Sequence, residues 1–361
     1  MIVKSLELEN FRNYRTLQVA FDKDTNIFYG NNAQGKTNIL EAVYLGGTTK
    51  SHKGSKDKDM ISFQEEEAHI RMMIQKGNIT RKIDMHLKKN KTKGIAIDGI
   101  PIKKAAELFG IINIVFFSPE DLNIIKNGPA ERRRFMDLEL CQLDKIYLHN
   151  LTNYNKIILQ RNKLLKEITF HPEYADTLDI WDMQLAGYGV KIIKRRALFA
   201  EQLGEIAGGI HENLTGGKES LAIEYEPNVS ADQFYEFLKK DRDKDIKYKM
   251  TCWGPHRDDL CLKIKGIDIR KFGSQGQQRT AALTLKLSEI ELVKRITKDT
   301  PVLLLDDVLS ELDSNRQNYL LNSINNIQTL ITCTGLDEFI NNRFHINKIF
   351  HVEEGTVSTE N

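Results

Sequence analysis

Gly30-Asn31-Asn32-Ala33-Gln34-Gly35-Lys36-Thr37 is the stretch that decides the fold class. Its eight residues fit the spacing G-x-x-x-x-G-K-[ST]. They stand between a short apolar run, Asn26-Ile27-Phe28-Tyr29, and a helix-forming stretch from Thr37 to Leu45. That order is the one the chemistry needs. A strand delivers the loop, and its glycines let the backbone close around an anion. The N–H groups of the loop and of the helix start then surround a nucleotide's β-phosphate. Lys36 would reach the β- and γ-oxygens, and the Thr37 hydroxyl would ligate Mg²⁺. An ordinary strand–helix turn is the plain alternative, and the flanking pattern argues against it.

Far downstream, Pro301-Val302-Leu303-Leu304-Leu305-Asp306-Asp307 describes a buried parallel strand that ends in two carboxylates. Open α/β sheets bind ligands at that edge. Asp306 would hold Mg²⁺ directly or through water, and Asp307 would polarise the attacking water, which makes it the candidate catalytic residue. An apolar strand followed by Asp-Asp is common by itself. Paired with a phosphate loop it is a specific signal.

The third signal is Phe272-Gly273-Ser274-Gln275-Gly276-Gln277-Gln278-Arg279, which opens a helical run from Thr280 to Ile296. Ser274 and Gly276 at a helix start make a second anion site. A chain that already has one phosphate loop does not need two. The residues resemble the S-x-G-Q signature of ABC-type ATPases, in which two heads dimerise head-to-tail and each signature covers the γ-phosphate held by the other's loop. Ser274, Gly276 and Gln277 would be the residues acting in trans, and Ser310-Glu311-Leu312-Asp313 resembles the D-loop of that class, with Ser310 and Asp313 as its candidates. The plain reading of Ser-Gln-Gly-Gln is a helix cap.

The whole chain resembles the RecF family of bacterial SMC-like ABC ATPases. Three stretches carry this: Glu9-Asn-Phe-Arg12-Asn-Tyr14; Pro119-Glu120 through Pro129 to Arg132-Arg133-Arg134-Phe135-Met136-Asp137; and Gly254-Pro255-His256-Arg257-Asp258-Asp259. The plain reading of the last is a turn with a solvated charge cluster. Asn127 stands where the family usually shows glycine, no Q-loop glutamine is placed after Ile111–Phe117, and no histidine follows Leu330-Ile-Thr-Cys-Thr. The two latter gaps favour slow hydrolysis. The resemblance implies ATP and Mg²⁺ as ligands, an ATP-dependent homodimer and a weak DNA-stimulated ATPase. It also implies binding to single-stranded, gapped or junction DNA, RecO and RecR as partners, loading of recombination mediators, and links to replication recovery and SOS induction.

The fold expected is α/β, an ABC-type P-loop ATPase head with an inserted helical lobe. Residues 1–118 form the first part of the head, 119–218 the lobe, 219–249 its return, and 250–361 the rest of the head. Alternation around Leu6, Leu8, Leu17 and Val19 predicts two strands, and residues 66–75 and 78–87 predict a hairpin. From about 131 to 168 there is no Gly or Pro, which predicts one helix about 50 Å long. A second runs from about 177 to 214. The last eight or so residues are expected to fray.

Composition excludes several classes. In 361 residues, Lys plus Arg is 52 and Asp plus Glu is 50, so nothing coats nucleic acid by bulk charge. Local basic clusters remain: Arg132, Arg133 and Arg134; Lys191, Lys194 and Arg195; and Lys88, Lys89, Lys91 and Lys93 on the hairpin. The first two are the candidate DNA-binding sets, with solvated faces as the alternative. No base-reading motif accompanies them, so contact with DNA would be to backbone and shape. There is no apolar run of roughly 18 residues, no secretory leader and no CxxC pair among the four cysteines. A cytoplasmic address, away from membrane, is the expectation. An ABC transporter's nucleotide-binding subunit would share the three motifs but normally lacks such long inserted helices. A GTPase should carry N-K-x-D, and Asn162-Lys163-Leu164-Leu165 lacks the aspartate. A P-loop kinase would leave the Ser274 motif unexplained.

Overall fold

The computed structural model describes residues 1–336 and 346–360. Alternation of apolar and polar residues writes the first strands: β1 (Ile2–Phe11) and β2 (Tyr14–Ala20) pair antiparallel with Leu6 opposite Val19 and Leu8 opposite Leu17. β3 (Thr25–Tyr29) is buried along most of its length and runs through the phosphate loop into α1 (Lys36–Thr48). The expected hairpin is β4 (Glu67–Lys76) and β5 (Ile79–Lys88), and it continues into β6 (Lys91–Ile97) and β7 (Ile100–Pro101). β8 (Ile114–Phe117) starts at Ile114 rather than Ile111.

The helical stretch follows as α2 (Leu122–Lys126), α3 (Pro129–Leu143), α4 (Lys145–Glu167) and α5 (Leu178–Thr215). The single long helix expected from 131 to 168 is therefore two. Asp144 leaves the helical region at φ −141° and ψ 103°. Its N–H closes α3 on the Leu140 carbonyl, and its carboxylate accepts from the N–H groups of Ile146 and Tyr147 to open α4. A short acidic side chain can break a helix by capping the next one, with no glycine or proline to announce it. Next come β9 (Leu221–Glu226), α6 (Phe234–Lys240), α7 (Arg242–Tyr248), β10 (Asp259–Ile264), β11 (Ile267–Asp268), α8 (Ile269–Phe272) and α9 (Gln275–Thr297). The chain then forms β12 (Val302–Asp306), α10 (Ser314–Ser323), β13 (Thr329–Cys333), β14 (Lys348–Glu353) and β15 (Thr356–Glu360). β15 pairs antiparallel with β14, so the end of the chain is ordered as a strand through residue 360 rather than frayed.

These elements form two units, residues 1–121 with 289–361, and residues 122–288. Among its described residues the first holds two six-stranded sheets, ordered β2-β1-β4-β5-β6-β7 and β15-β14-β3-β13-β12-β8. In the second of these, β14, β3, β13, β12 and β8 run parallel, so β3 and β12 present Gly30 and Asp306 at the same edge. Helix α1 lies between the sheets because two glycines let it. A Cβ on Gly46 would stand 2.8 Å from the Met72 side chain on β4, and one on Gly47 would stand 2.4 Å from Ile114 on β8.

In the second unit α4 and α5 run antiparallel, as the pairs Asp144 with Arg195, Tyr147 with Arg196, and Arg161 with Asp182 show. Arg161, Asp182 and Asp245 are fully buried and paired, which desolvated charges require. The three-stranded sheet β11-β10-β9 completes this unit. Residues 250–288, read from sequence as head, belong here because β10 is hydrogen-bonded along its length to β9, from Asp259 opposite Glu226 to Ile264 opposite Leu221. The division between units falls within α9.

Candidate nucleotide-binding site

The phosphate loop is held open by backbone that only small residues allow. Gly30 and Gly35 have φ of 147° and 113°. A Cβ on Gly30 would stand 2.3 Å from the Val352 carbonyl oxygen, and one on Gly35 would stand 2.5 Å from Asn13 Nδ2. The β1–β2 turn braces the loop from outside: Asn13 Nδ2 donates to the Gln34 carbonyl at 2.9 Å and the Tyr14 hydroxyl donates to the Gly35 carbonyl at 3.2 Å. The β14–β15 turn adds the Glu354 N–H to Gln34 Oε1 at 2.6 Å. No side chain caps α1 at Gly35, so its first N–H groups remain available to an anion. Lys36 is buried, and its Nζ donates to the carbonyls of Gly30 and Asn31. Burial lowers its pKa, while Asp307 and Asp306 act in the opposite direction.

Thr37 Oγ1 donates to Asp306 Oδ1 at 2.7 Å, and Thr332 Oγ1 donates to the same oxygen at 2.7 Å. A hydroxyl and a carboxylate side by side next to a phosphate loop are hard oxygen donors of the kind Mg²⁺ takes. Asp307 sits in the left-handed region, φ 52°, with its N–H on Thr332 Oγ1 at 3.0 Å. Burial raises its pKa against the opposing side-chain hydrogen bond from the Ser310 hydroxyl, which stands 3.4 Å from Asp307 Oδ1 and 2.9 Å from the Asp307 carbonyl oxygen. Asp313 caps α10, accepting from the Arg316 N–H at 3.0 Å. Every residue predicted from the loop and the acidic strand is thus in one place, within the first unit.

Sequence reasoning missed the supports. Arg12, at φ 54°, forks onto Glu41 of α1 at 2.8 and 2.9 Å and donates to the Asp59 carbonyl at 2.7 Å. Burial would raise the Glu41 pKa, but hydrogen bonds from Arg12 and Ser51 outweigh it and hold the carboxyl low. Arg12, Asn13 and Tyr14 stood in a stretch singled out by resemblance, which was their only signal. Thr332 had none, since a threonine in an apolar strand looks like any other.

In the second unit Ser274, Gly276 and Gln277 come together at the start of α9. Ser274 Oγ accepts from the Gln277 N–H at 3.2 Å, and Gln277 Oε1 accepts from the Ser274 N–H at 2.9 Å. This is a reciprocal capping box. A Cβ on Gly276 would meet only Ser274 Oγ, at 3.9 Å, so the approach to this end is sterically open.

Residues 2–358 match the family model described as RecF/RecN/SMC N terminal domain. The chain is 64% identical to the DNA replication and repair protein RecF of Agathobacter rectalis, over 99% of both chains. It is 65% identical to that of Lachnospira eligens over the full length of both. The chain belongs to the RecF family. Among solved structures it resembles the recombination mediator protein RecF with ATP in the RecFOR pathway, at 37% identity and a TM-score of 0.93 over 99% of this chain and 97% of that one. It also resembles an Smc head bound to the C-winged helix domain of ScpA, with a TM-score of 0.57 and 16% identity over 100% of this chain and 97% of that one, which bears on the fold alone.

Two family stretches prove to be internal structure. Arg132, a candidate DNA contact, is buried and bonds both oxygens of Asp259 at 2.6 and 3.1 Å, with Nη1 on the carbonyls of Ile124 and Asn127. Asn127 serves through its carbonyl and lacks a positive φ, so this turn does not need the family's glycine. Arg133 is half-buried and donates to the Asp258 carbonyl, whereas Arg134 is exposed. Arg195 pairs with Asp144 at 2.9 Å, removing it from the predicted stripe and leaving Lys191 and Lys194 exposed. The Gly254–Asp259 stretch is no solvated cluster either. Asp258 is buried and accepts from Arg196 at 3.1 Å, from the Tyr225 hydroxyl, and from the Asn228 N–H at 2.8 Å. His256 bonds the Tyr154 hydroxyl and the Thr251 carbonyl, and burial pushes its pKa down to about 4. These ion pairs and hydrogen bonds fasten α3, α4 and α5 to β10 and the turn that leads into it.

Proposed function

We propose that this chain is an ATP-controlled, DNA-binding clamp of recombinational repair, serving replication recovery and SOS induction in the cytoplasm. The observation that supports the reading is that the chain carries two helix starts of different kinds, each of which would face phosphate. One is the braced loop with Thr37 against Asp306 in the first unit, and the other is the capped Ser274 in the second. The full-length likeness to RecF proteins supports the same conclusion and disfavours a transporter's nucleotide-binding subunit.

In this reading residues 30–37 hold the phosphates of ATP, with Lys36 turning from the loop carbonyls to the β- and γ-oxygens. Thr37 and Asp306 hold Mg²⁺, which would neutralise phosphate charge when bound. Asp307 orients the attacking water and accepts its proton, and Ser310 and Asp313 shape the turn beside it. Ser274, Gly276 and Gln277 cover the γ-phosphate of a second copy, so ATP joins two chains and hydrolysis parts them. The closed dimer holds single-stranded, gapped or junction DNA, with RecO and RecR as partners. Of the basic residues, the exposed Arg134, Lys191 and Lys194 would meet backbone phosphates. Arg132, Arg133 and Arg195 hold the lobe together. Sedimentation with and without ATP and a short gapped duplex tests the core claim: an ATP-dependent dimer on DNA is expected, and a monomer under every condition overturns it.

A further inference from the structure

Gln277 has a second partner. Its Nε2 donates to Glu219 Oε1 at 2.8 Å, while its Oε1 accepts from the Ser274 N–H. The two ends of an amide are not interchangeable here. A backbone N–H only donates and an ionised carboxylate only accepts, so one orientation of the Gln277 side chain satisfies both. The reverse would set NH₂ against N–H and carbonyl oxygen against carboxylate. With Gln277 fixed this way the capping box is complete. Ser274 Oγ then takes the Gln277 N–H with a lone pair, and its hydroxyl proton is left to donate elsewhere.

Glu219 is itself seated. It lies just past the end of α5, with its N–H on Thr215 Oγ1 at 3.3 Å, while the Thr215 hydroxyl donates to the His211 carbonyl at 2.8 Å. Its Oε2 stands 3.5 Å from Nε2 of the buried His211 on α5. Nδ1 of His211 meets Thr284 Oγ1 at 3.0 Å. The Thr284 proton is already given to the Thr280 carbonyl, so its oxygen accepts from the histidine. Thr284 lies about two turns along α9 from Gln277. The backbone of Glu219 is therefore held at the end of α5, and α5 is tied to α9 at a second point through His211.

We propose that Glu219 is a positioning residue for the signature: it sets the Gln277 amide so that the Ser274 hydroxyl faces outward as a donor to the γ-phosphate held by a second copy of this chain. This rests on the reading of Ser274 as a site acting in trans. It differs from a mere staple between α5 and α9 in what it makes selective. A staple lost would weaken the fold, whereas a misdirected amide weakens only the contact made in the dimer.

The test compares Glu219→Ala, Glu219→Gln and Ser274→Arg by calorimetry with Mg·ATP, by sedimentation with ATP, and by thermal unfolding. Glu219→Ala should bind ATP within twofold of wild type yet dimerise about tenfold more weakly, the loss expected for one hydrogen bond to a charged group. Glu219→Gln keeps an acceptor and should restore dimerisation to within about threefold. Wild-type dimerisation by Glu219→Ala overturns the proposal. So does a Gln variant as impaired as the Ala variant, or a parallel loss of ATP binding. If Ser274→Arg itself dimerises normally, the trans reading has failed. If Ser274→Arg alone is impaired, that reading stands and the role of Glu219 falls.

Discussion

The N-termini of α1 and α9 answer the same problem in opposite ways. Every helix begins with N–H groups that have no partner inside it. At α1 no side chain takes them, and the surrounding loop is braced from Asn13, Tyr14 and Glu354 rather than from within. At α9 Ser274 and Gln277 satisfy one another. The first end is built to receive an anion, with a lysine at hand. The second is stable without one, and in the proposed reading it offers its hydroxyl proton to a phosphate that another chain brings. On that reading the presence or absence of a cap separates a conditional site from a standing one.

The largest effect should come from Lys36→Ala. Losing the one cationic side chain of the loop should weaken ATP binding about a hundredfold, the upper range for a charge-assisted hydrogen bond. Calorimetry with Mg·ATP reads it directly, and affinity within threefold of wild type would remove α1 as the standing site. Asp307→Asn should come next. Binding should survive while hydrolysis slows at least tenfold, as expected for a lost general base, and the dimer on DNA should outlast that of the wild type after a competitor chase. The pKa of Asp307 is raised by burial. A base works only when deprotonated, so wild-type hydrolysis should fall on the acid side through a midpoint above the ordinary aspartate value. The Asn variant should lack that limb, and an unchanged rate would mean Asp307 is not the catalytic carboxylate.

Ser274→Arg sharpens the contrast. It should spare ATP binding by the single chain and reduce ATP-dependent dimerisation by about tenfold or more, since it loses the hydroxyl donor and puts a bulky charge in its place. Reduced ATP binding by the isolated chain would show that the two ends are not separate. The smallest effect belongs to the cap itself. Ser274→Ala should lower stability by about 1 kcal/mol, the usual value of a serine N-cap. Denaturant unfolding measures it, and no change would mean that the box does not hold α9.

The motifs were legible because they are local. Gly30 to Thr37, the apolar strand ending in Asp306 and Asp307, and Ser274 to Gln277 each carry their chemistry within a few residues. The helix from 131 to 168 was misread because Asp144 looks like any polar residue until its carboxylate is seen on the N–H groups of Ile146 and Tyr147. The arginines were misread for a related reason. A run such as Arg132-Arg133-Arg134 has the same composition whether it faces solvent or Asp259, and only the fold brings that partner across 127 residues of chain.

By itself the sequence determined that this chain is an α/β phosphate-loop protein with a second helix start of the same bias, because backbone freedom at glycine, a lysine and capping side chains act over single turns. Tertiary structure alone decided what those parts rest on. The bonds from Asn13 and Tyr14 to the loop, from Thr332 to Asp306, from Glu219 to Gln277 and from Arg132 to Asp259 join residues far apart in the chain. A hydrogen bond depends on distance and direction in space, and those exist only once the chain has folded.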